Sequence, residues 1–487
     1  MNHDETSLAR PLPWLIQGGM GIAISHWPLA RSVAMAGQLG VVSGTAIDAV
    51  FARRLQDQGV DDGLRAILDR FPSQSVVDGV LAKYASTKRA PNAPYRAVPM
   101  PTHRTVQSSQ DLTVLASFVE VALAKSGHDG VVGINLLTKV QLPTVPSLYG
   151  AMLAGVDYVL MGAGIPAHIP GILDRLATGD VIDSALELQG ASKIDGGPML
   201  HFDPGHFNGP SELKRPNFLA IVSSHVLANA LLRRSSGRVD GFVVESPIAG
   251  GHNAPPRGDL HLDENSDPIY GERDRVDFEV MRASGVPFWL AGGITTPASV
   301  RDALGVGATG VQVGTLFAYC HESGMESALR AKVIAEVRAN QVRVRTSTRA
   351  SSTGYPFKVV DVEGTLSDAD VYEHRQRRCD LGYLREAYVK PDGAVGYRCP
   401  SEPVDVFVSK GGVVEDTIER TCLCNALMAT AGLGQIRRNG PDEAPIVTSG
   451  DAINDIAPLL VGRNDYTARD VVHFLESGPT PLEEPLR

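Results

Sequence analysis

Long uninterrupted apolar runs are missing from this chain of 487 residues. The most apolar stretch, Ser147–Leu173, is broken by Asp157, by glycines and by Pro166 and Pro170, so it reads as a helix and then a strand in a core and not as a membrane span. An excess of basic residues is missing too. Lys and Arg number 45 against 55 Asp and Glu, a net charge of −10 with no basic stripe, which argues against nucleic acid as a partner. Cysteine is scarce: five residues, an odd count, exclude a disulfide framework and suit a reducing compartment. The N-terminal MNHDETSLARPLP lacks the charged-then-apolar order of a secretory signal, so a cytoplasmic location is expected. Internal repeats and low-complexity tracts are also lacking, which removes solenoids from consideration.

With 43% hydrophobic residues the chain can bury a core large enough for one large domain and a smaller one. Short apolar runs recur as candidate parallel strands: Trp14–Gln17, Leu39–Ser43, Val131–Leu137, Asp157–Met161, Phe218–Val222, Gly241–Val244, Pro287–Leu290 and Gly310–Val313. Helical spacing predicts helices between them at Ser25–Ala36, Asp111–Lys125 (capped within Ser108–Asp111), Leu148–Ala154, His225–Arg234, Phe278–Ser284 and Ala298–Leu304. The last is capped by Thr296 and opened by Pro297. Strand-then-helix units repeated around the chain predict an α/β fold, a (β/α)8 TIM barrel over residues 1–360. Insertions at about 45–129 and 182–216 interrupt it, and 361–487 form a smaller, cysteine-containing C-terminal extension. The proline-rich segment 90–104 reads as an excursion over the surface, and the polar segment 259–273 as a candidate lid.

Two motifs mislead. Gly162-Ala-Gly164 with Asp183 downstream matches the glycine pattern of a dinucleotide fold, but Pro166 and Pro170 break up the helix that ought to carry the pyrophosphate. His201, Asp203 and His206 lack a further ligand at usable spacing for a metal ion.

The informative stretch is Gly241–Gly258, GFVVESPIAGGHNAPPRG, a buried strand running into a Gly-Gly-His loop where a flat ligand can approach bare main chain beside an imidazole. In a closed barrel the functional loops follow the C-terminal strand ends. That one geometric fact gathers Gly19, Met20, Asn135, Ser223, Gly250, Gly251, His252, Gly292, Gly293, Gly314 and Thr315 at a single mouth. Gly292-Gly293 and Gly314-Thr315 supply phosphate donors after the seventh and eighth barrel strands. Gln312 and Asn135 are placed to hydrogen-bond a flat heterocycle, and a ring with one phosphate suggests FMN.

At QGGMG (Gln17–Gly21), GINL (Gly133–Leu136), AGGH (Ala249–His252), AGGI (Ala291–Ile294) and QVGT (Gln312–Thr315), the chain resembles the nitronate monooxygenase family, formerly called 2-nitropropane dioxygenases, over roughly residues 12–360. The resemblance implies an FMN-dependent barrel with His252 as the catalytic residue and flavin contacts at Gly19, Met20, Asn135, Gly251, Gly292, Gly293, Gln312, Gly314 and Thr315. It implies oxidation of nitronates or nitroalkanes with O2. His252 is the expected general base for the proton alpha to a nitro group, on the reasoning that an imidazole titrates near neutral pH. The longer His252 loop, the insertion at 182–216 and the extension depart from short family members on the substrate side.

Two alternatives share these motifs: an enoyl-thioester (enoyl-ACP) reductase in which NAD(P)H reduces FMN, and a non-catalytic flavin-barrel subunit of a larger synthase. Expected partners are a small-molecule substrate and O2, with no nucleic acid and no membrane; a homo-oligomer stays open. Cys379, Cys399, Cys422 and Cys424 cluster in the extension, and four thiolates fit a structural zinc or an iron–sulfur site. The lack of a Cys-x-x-Cys knuckle favours free buried cysteines and no metal. Ser347–Val360 is expected to return over the barrel mouth.

Overall fold

A computed structural model describes residues 11–104, 106–189 and 198–477. Met1–Arg10, on which most of the leader argument rests, and the middle of the 182–216 insertion lie outside them. The barrel strands begin with β1 (Leu15–Gln17), β2 (Gly40–Ser43), β3 (Val132–Leu137) and β4 (Tyr158–Gly162). After them β5 (Ile182–Ala185) and β6 (Met199–Phe202) form a separate antiparallel hairpin. The barrel resumes with β7 (Asn217–Val222), β8 (Gly241–Glu245), β9 (Phe288–Ala291) and β10 (Gly310–Val313). All eight barrel strands pair in parallel in the order β1-β10-β9-β8-β7-β4-β3-β2, each within a residue of its expected ends.

The ring closes between β1 and β2. Ile16 bridges Leu39, the Leu39 N–H donates to Leu15 O at 3.1 Å, and the Gln17 N–H donates to Leu39 O at 2.9 Å. Beyond that the strands splay, and the buried Gln17 side chain takes over the ladder: its Oε1 accepts from the Val41 N–H at 2.9 Å. Inside, Ile16, Leu39, Val41, Tyr158, Leu160, Leu219, Val243 and Trp289 fill the cylinder, so the barrel is a packed core and ligands are confined to its mouth. The Trp289 indole N–H is satisfied by Pro13 O at 2.8 Å.

The expected helices form at Trp27–Met35, Thr144–Leu153, His225–Arg234, Phe278–Ala283 and Pro297–Gly305, the last with the Thr296 hydroxyl accepting from the Ser299 N–H. Three expectations need correction. The helix expected from Asp111 runs Gln107–Ala124 and has no side-chain cap at Val106. Its extra turn is held by Gln107 donating to Asp111 at 3.0 Å and Thr113 to Ser109 O at 2.9 Å. The prolines after β4 do not prevent a helix: Ile169–Ala177 forms with Pro170 in its first turn, where no N–H is needed. The 90–104 segment is pinned at its centre and does not simply cross the surface. Tyr95 is buried, its hydroxyl donates to Asp57 at 2.6 Å, and its N–H donates to Gln435 at 2.7 Å.

After the barrel, β11 (Val344–Ser347) and β12 (Phe357–Val360) form an antiparallel hairpin that returns over the mouth as expected, with His252 bridging Phe357. A third hairpin, β13 (Glu386–Val389) with β14 (Val395–Arg398), and a helix at Leu423–Thr430 follow. The chain then crosses the mouth again at Ile446–Ala452 and packs Ile453, Ile456, Leu460, Phe474 and Leu475 against Leu316, Phe317 and Val333 on the barrel's flank. Residues beyond 360 therefore share a core with the barrel. Among the described residues no helix is long and apolar enough to cross a membrane.

Candidate active site

One cavity of about 240 Å³ opens at the C-terminal strand ends. Gly19, Met20, Asn135, Gly250, Gly251, His252, Gly292, Gly293, Gln312, Gly314 and Thr315 all line it. Ser223 does not. It follows β7 by one residue, but Ile221 and Glu245 form the wall there, and Ser223 opens into a separate cavity of about 20 Å³ with Ser246, Tyr270 and Asp274.

The cavity wall carries groups that lack partners within the protein. The buried side-chain oxygens Asn135 Oδ1 and Gln312 Oε1 accept no hydrogen bond, although buried carbonyl oxygens are almost always paired. Asn135 uses only its amide, donating to Gly19 O at 3.3 Å. Gly292 and Gly293, at φ of 90° and 71°, hold the left-handed turns after β9 that non-glycine residues resist. Their N–H groups have no acceptor among the described residues. Gly250 is forced by close approach: a Cβ there would lie 2.8 Å from the Ser449 carbonyl carbon. These are the features a planar heterocycle with a phosphate requires, and the residues present fit FMN.

His252 sits beneath the returning hairpin. Its Nε2 is 2.7 Å from Ser351 Oγ, which lies 2.8 Å from Thr353 Oγ1, and its ring meets Phe357 edge-on at 4.9 Å. Burial, helped by the Lys139 ammonium, lowers its pKa to about 4, so the expectation of titration near neutrality is corrected: His252 is a neutral imidazole at physiological pH. Lys139 stacks over Tyr355 at 3.6 Å, donates to Thr353 O at 3.1 Å, and is itself lowered to about 8 by burial. Glu245, at the end of β8, points inward because Val243 two residues earlier faces the barrel interior. No hydrogen bond reaches its carboxyl among the described residues, and burial raises it to about 7.

Several lining groups lie outside the sequence motifs: Tyr383, Ser449 and Gly450 come from the extension, and Glu245 ends a strand, while Cys424 of the cysteine cluster lines the mouth and not a metal site. Glu245 alone carried a local signal, an acid at the C-terminal end of a barrel strand. The Tyr383 hydroxyl donates to the buried Asp48 carboxyl at 2.5 Å, anchoring the extension to the first insertion. Gly450 N–H donates to Thr315 Oγ1 at 3.1 Å, and Gly251 N–H to Thr448 Oγ1 at 2.9 Å.

The four clustered cysteines are free. Burial and one another push the Cys379, Cys422 and Cys424 thiols up, and no group of three metal-ligating side chains occurs among the described residues. His201 pairs with Asp183 across the β5–β6 hairpin and His206 with Asp111, both at 2.9 Å, while Asp203 accepts from the Gly205 N–H.

Residues 201–360 match the nitronate monooxygenase family. A probable nitronate monooxygenase of Bacillus subtilis is 30% identical over 147 residues, 30% of this chain and 40% of that protein. The nitronate monooxygenase of Pseudomonas aeruginosa is 29% identical over 162 residues, 32% and 43% of the two chains. The match thus spans less than half the length of these curated relatives. Among solved structures, nitroalkane oxidase from Streptomyces ansochromogenes is 14% identical, with 96% of this chain and 95% of that one covered at a TM-score of 0.47. FabK from Thermotoga maritima is also 14% identical, with 95% and 90% covered at 0.46. The Gln17–Gly21 and Gly133–Leu136 motifs fall outside the match; the segment that is similar to the nitronate monooxygenase family is the half of the barrel that carries His252, Gly292, Gly293, Gln312, Gly314 and Thr315.

Proposed function

We propose that the chain is an FMN-dependent oxidoreductase of the nitronate monooxygenase kind, acting on a nitronate or nitroalkane with O2. The observation that carries this is the pairing of two orphaned amide oxygens, on Asn135 and Gln312, with the left-handed Gly292-Gly293 turn across one cavity beside His252. Bound FMN supplies the electron-accepting chemistry that side chains do not offer. Gly292, Gly293, Gly314 and Thr315 hold its phosphate, and Asn135 and Gln312 hold the polar edge of its ring.

Ser351 fixes the His252 ring by its bond to Nε2. With a pKa of about 4 the imidazole is a poor acceptor for the proton of a neutral nitroalkane, because an efficient base has a pKa near the working pH. The substrate that fits is the preformed nitronate anion, toward which the nearby Lys139 charge is favourable and His252 acts by orienting.

A second reading, the enoyl-thioester reductase, draws on the cavity wall contributed by the extension. Leu384, Leu423, Leu427 and Ile446 add an apolar side that a small nitronate does not need. The visible spectrum of purified protein tests the cofactor. Oxygen uptake with a nitronate and no nicotinamide supports the first reading, rapid flavin bleaching by NADPH the second, and a colourless protein that takes up no added FMN overturns both.

A further inference from the structure

The main cavity has a back wall that no motif pointed to. Glu245 borders the mouth cavity on one side and, on the other, the small cavity lined by Ser223, Ser246, Tyr270 and Asp274. That second space, about 20 Å³, matches the room one water molecule needs. Six of its nine lining residues, Ser223, Glu245, Ser246, Arg257, Tyr270 and Asp274, carry polar side chains. A pocket of that size with such a lining is where a buried water belongs. At its outer side Asp274 accepts from the Arg257 and Gly271 N–H groups, and the loop carrying them is exposed to solvent.

We propose that Glu245 is the proton-exchanging residue of the site, passing a proton between the ligand in the mouth cavity and a water in the side cavity that Glu245 also lines. This rests on the reading of the mouth cavity as the reaction site. The step balances simply: the Glu245 carboxyl O–H bond breaks as its proton goes to an anionic atom of the ligand, and the carboxylate is reprotonated from the side water, whose proton bulk solvent replaces. No electrons move in it. The titratable and charged side chains that share these cavities with Glu245 are His252, Tyr383 and Cys424 in the mouth cavity and Arg257, Tyr270 and Asp274 in the side cavity; burial pushes Tyr383 and Cys424 up, so both stay neutral. Tyr270 is pushed up to about 12 and stays neutral, and His252 is neutral above pH 4, so neither competes for the exchange near neutral pH. A carboxyl raised to about 7 by burial is matched to proton transfer in both directions there.

The test is infrared difference spectroscopy of the full-length protein between pH 5.5 and 8.5, comparing wild type with Glu245→Gln, followed by the pH profile of kcat for each. A protonated-carboxyl band that disappears through about pH 7 in wild type and is absent from E245Q is expected, with a fall of about 100-fold in kcat and loss of the corresponding inflection. The side-cavity variant Ala254→Leu, which fills that space, is expected to keep the band and to slow turnover by excluding the water. A band that persists in E245Q, a Glu245 that titrates in the ordinary carboxylate range, or an unchanged kcat profile in both variants would overturn the proposal. Failure of the FMN reading looks different: the protein takes up no flavin while the Glu245 band still titrates.

Discussion

Burial shifts His252 and Glu245 in opposite directions, the imidazole down to about 4 and the carboxyl up to about 7. Replacing His252 by Asn is expected to leave FMN bound and to lower kcat about 100-fold through lost orientation of the substrate, measured by flavin absorbance and oxygen uptake. With the Glu245 inflection removed by Glu245→Gln, the rate is expected to show no remaining histidine inflection between pH 6 and 8, since His252 titrates near 4. Stability follows the same shifts. The unfolded His252 binds its proton below about 6.5 but the folded one only below about 4, so the protein loses stability as the pH falls through that window. Glu245 has the opposite sign. Its folded pKa lies above its unfolded 4.5, so its contribution is present below pH 4.5 and is lost as the pH rises to 7. Glu245→Gln is therefore expected to raise Tm above pH 7, by up to about 3 kcal/mol of stability, and to leave it unchanged at pH 4.

The loop after β8 is clamped between two returning segments. Lys358 N–H donates to Gly251 O at 2.9 Å on one side, and Ser449–Gly450 presses on Gly250 on the other. A Cβ at Gly250 would meet main-chain atoms at 2.8 and 2.9 Å, which cannot rotate away. Gly250→Ala is expected to cost about 1–3 kcal/mol in chemical denaturation and to weaken FMN binding at least tenfold as the tail is displaced. The strand ends were legible in the sequence because each barrel strand is covered on both faces and reads as a continuous apolar run. The extra turn at Gln107 and the helix at Ile169 were not, since each depends on a local side-chain bond or a favourable proline position that composition does not reveal.

At the largest scale the extension covers the barrel mouth and packs along its flank. Lys358, itself buried, pairs with Asp451 at 2.7 Å and ties the hairpin over the mouth to the tail. Beyond it, Ile453, Ile456, Leu460, Phe474 and Leu475 are almost fully buried against barrel helices. At about 1.5–3 kcal/mol for each such side chain, their loss exceeds the margin by which most domains are stable. A chain ending at Val360 is expected to be insoluble or unfolded, and the full chain to melt in one calorimetric transition. Two separate transitions would show that barrel and extension fold independently.

Periodicity and turn chemistry were enough to order eight strands and to bring the glycine turns and His252 to one mouth, because each of those signals lies within a few neighbouring residues. The closing seam through Gln17, the tail resting on Thr315 and Gly250, the burial that keeps His252 neutral and the position of Glu245 between two cavities emerged only on folding. They arise from contacts such as Thr315 with Gly450, whose partners stand more than a hundred residues apart, and a local pattern of residues carries no record of a distant neighbour.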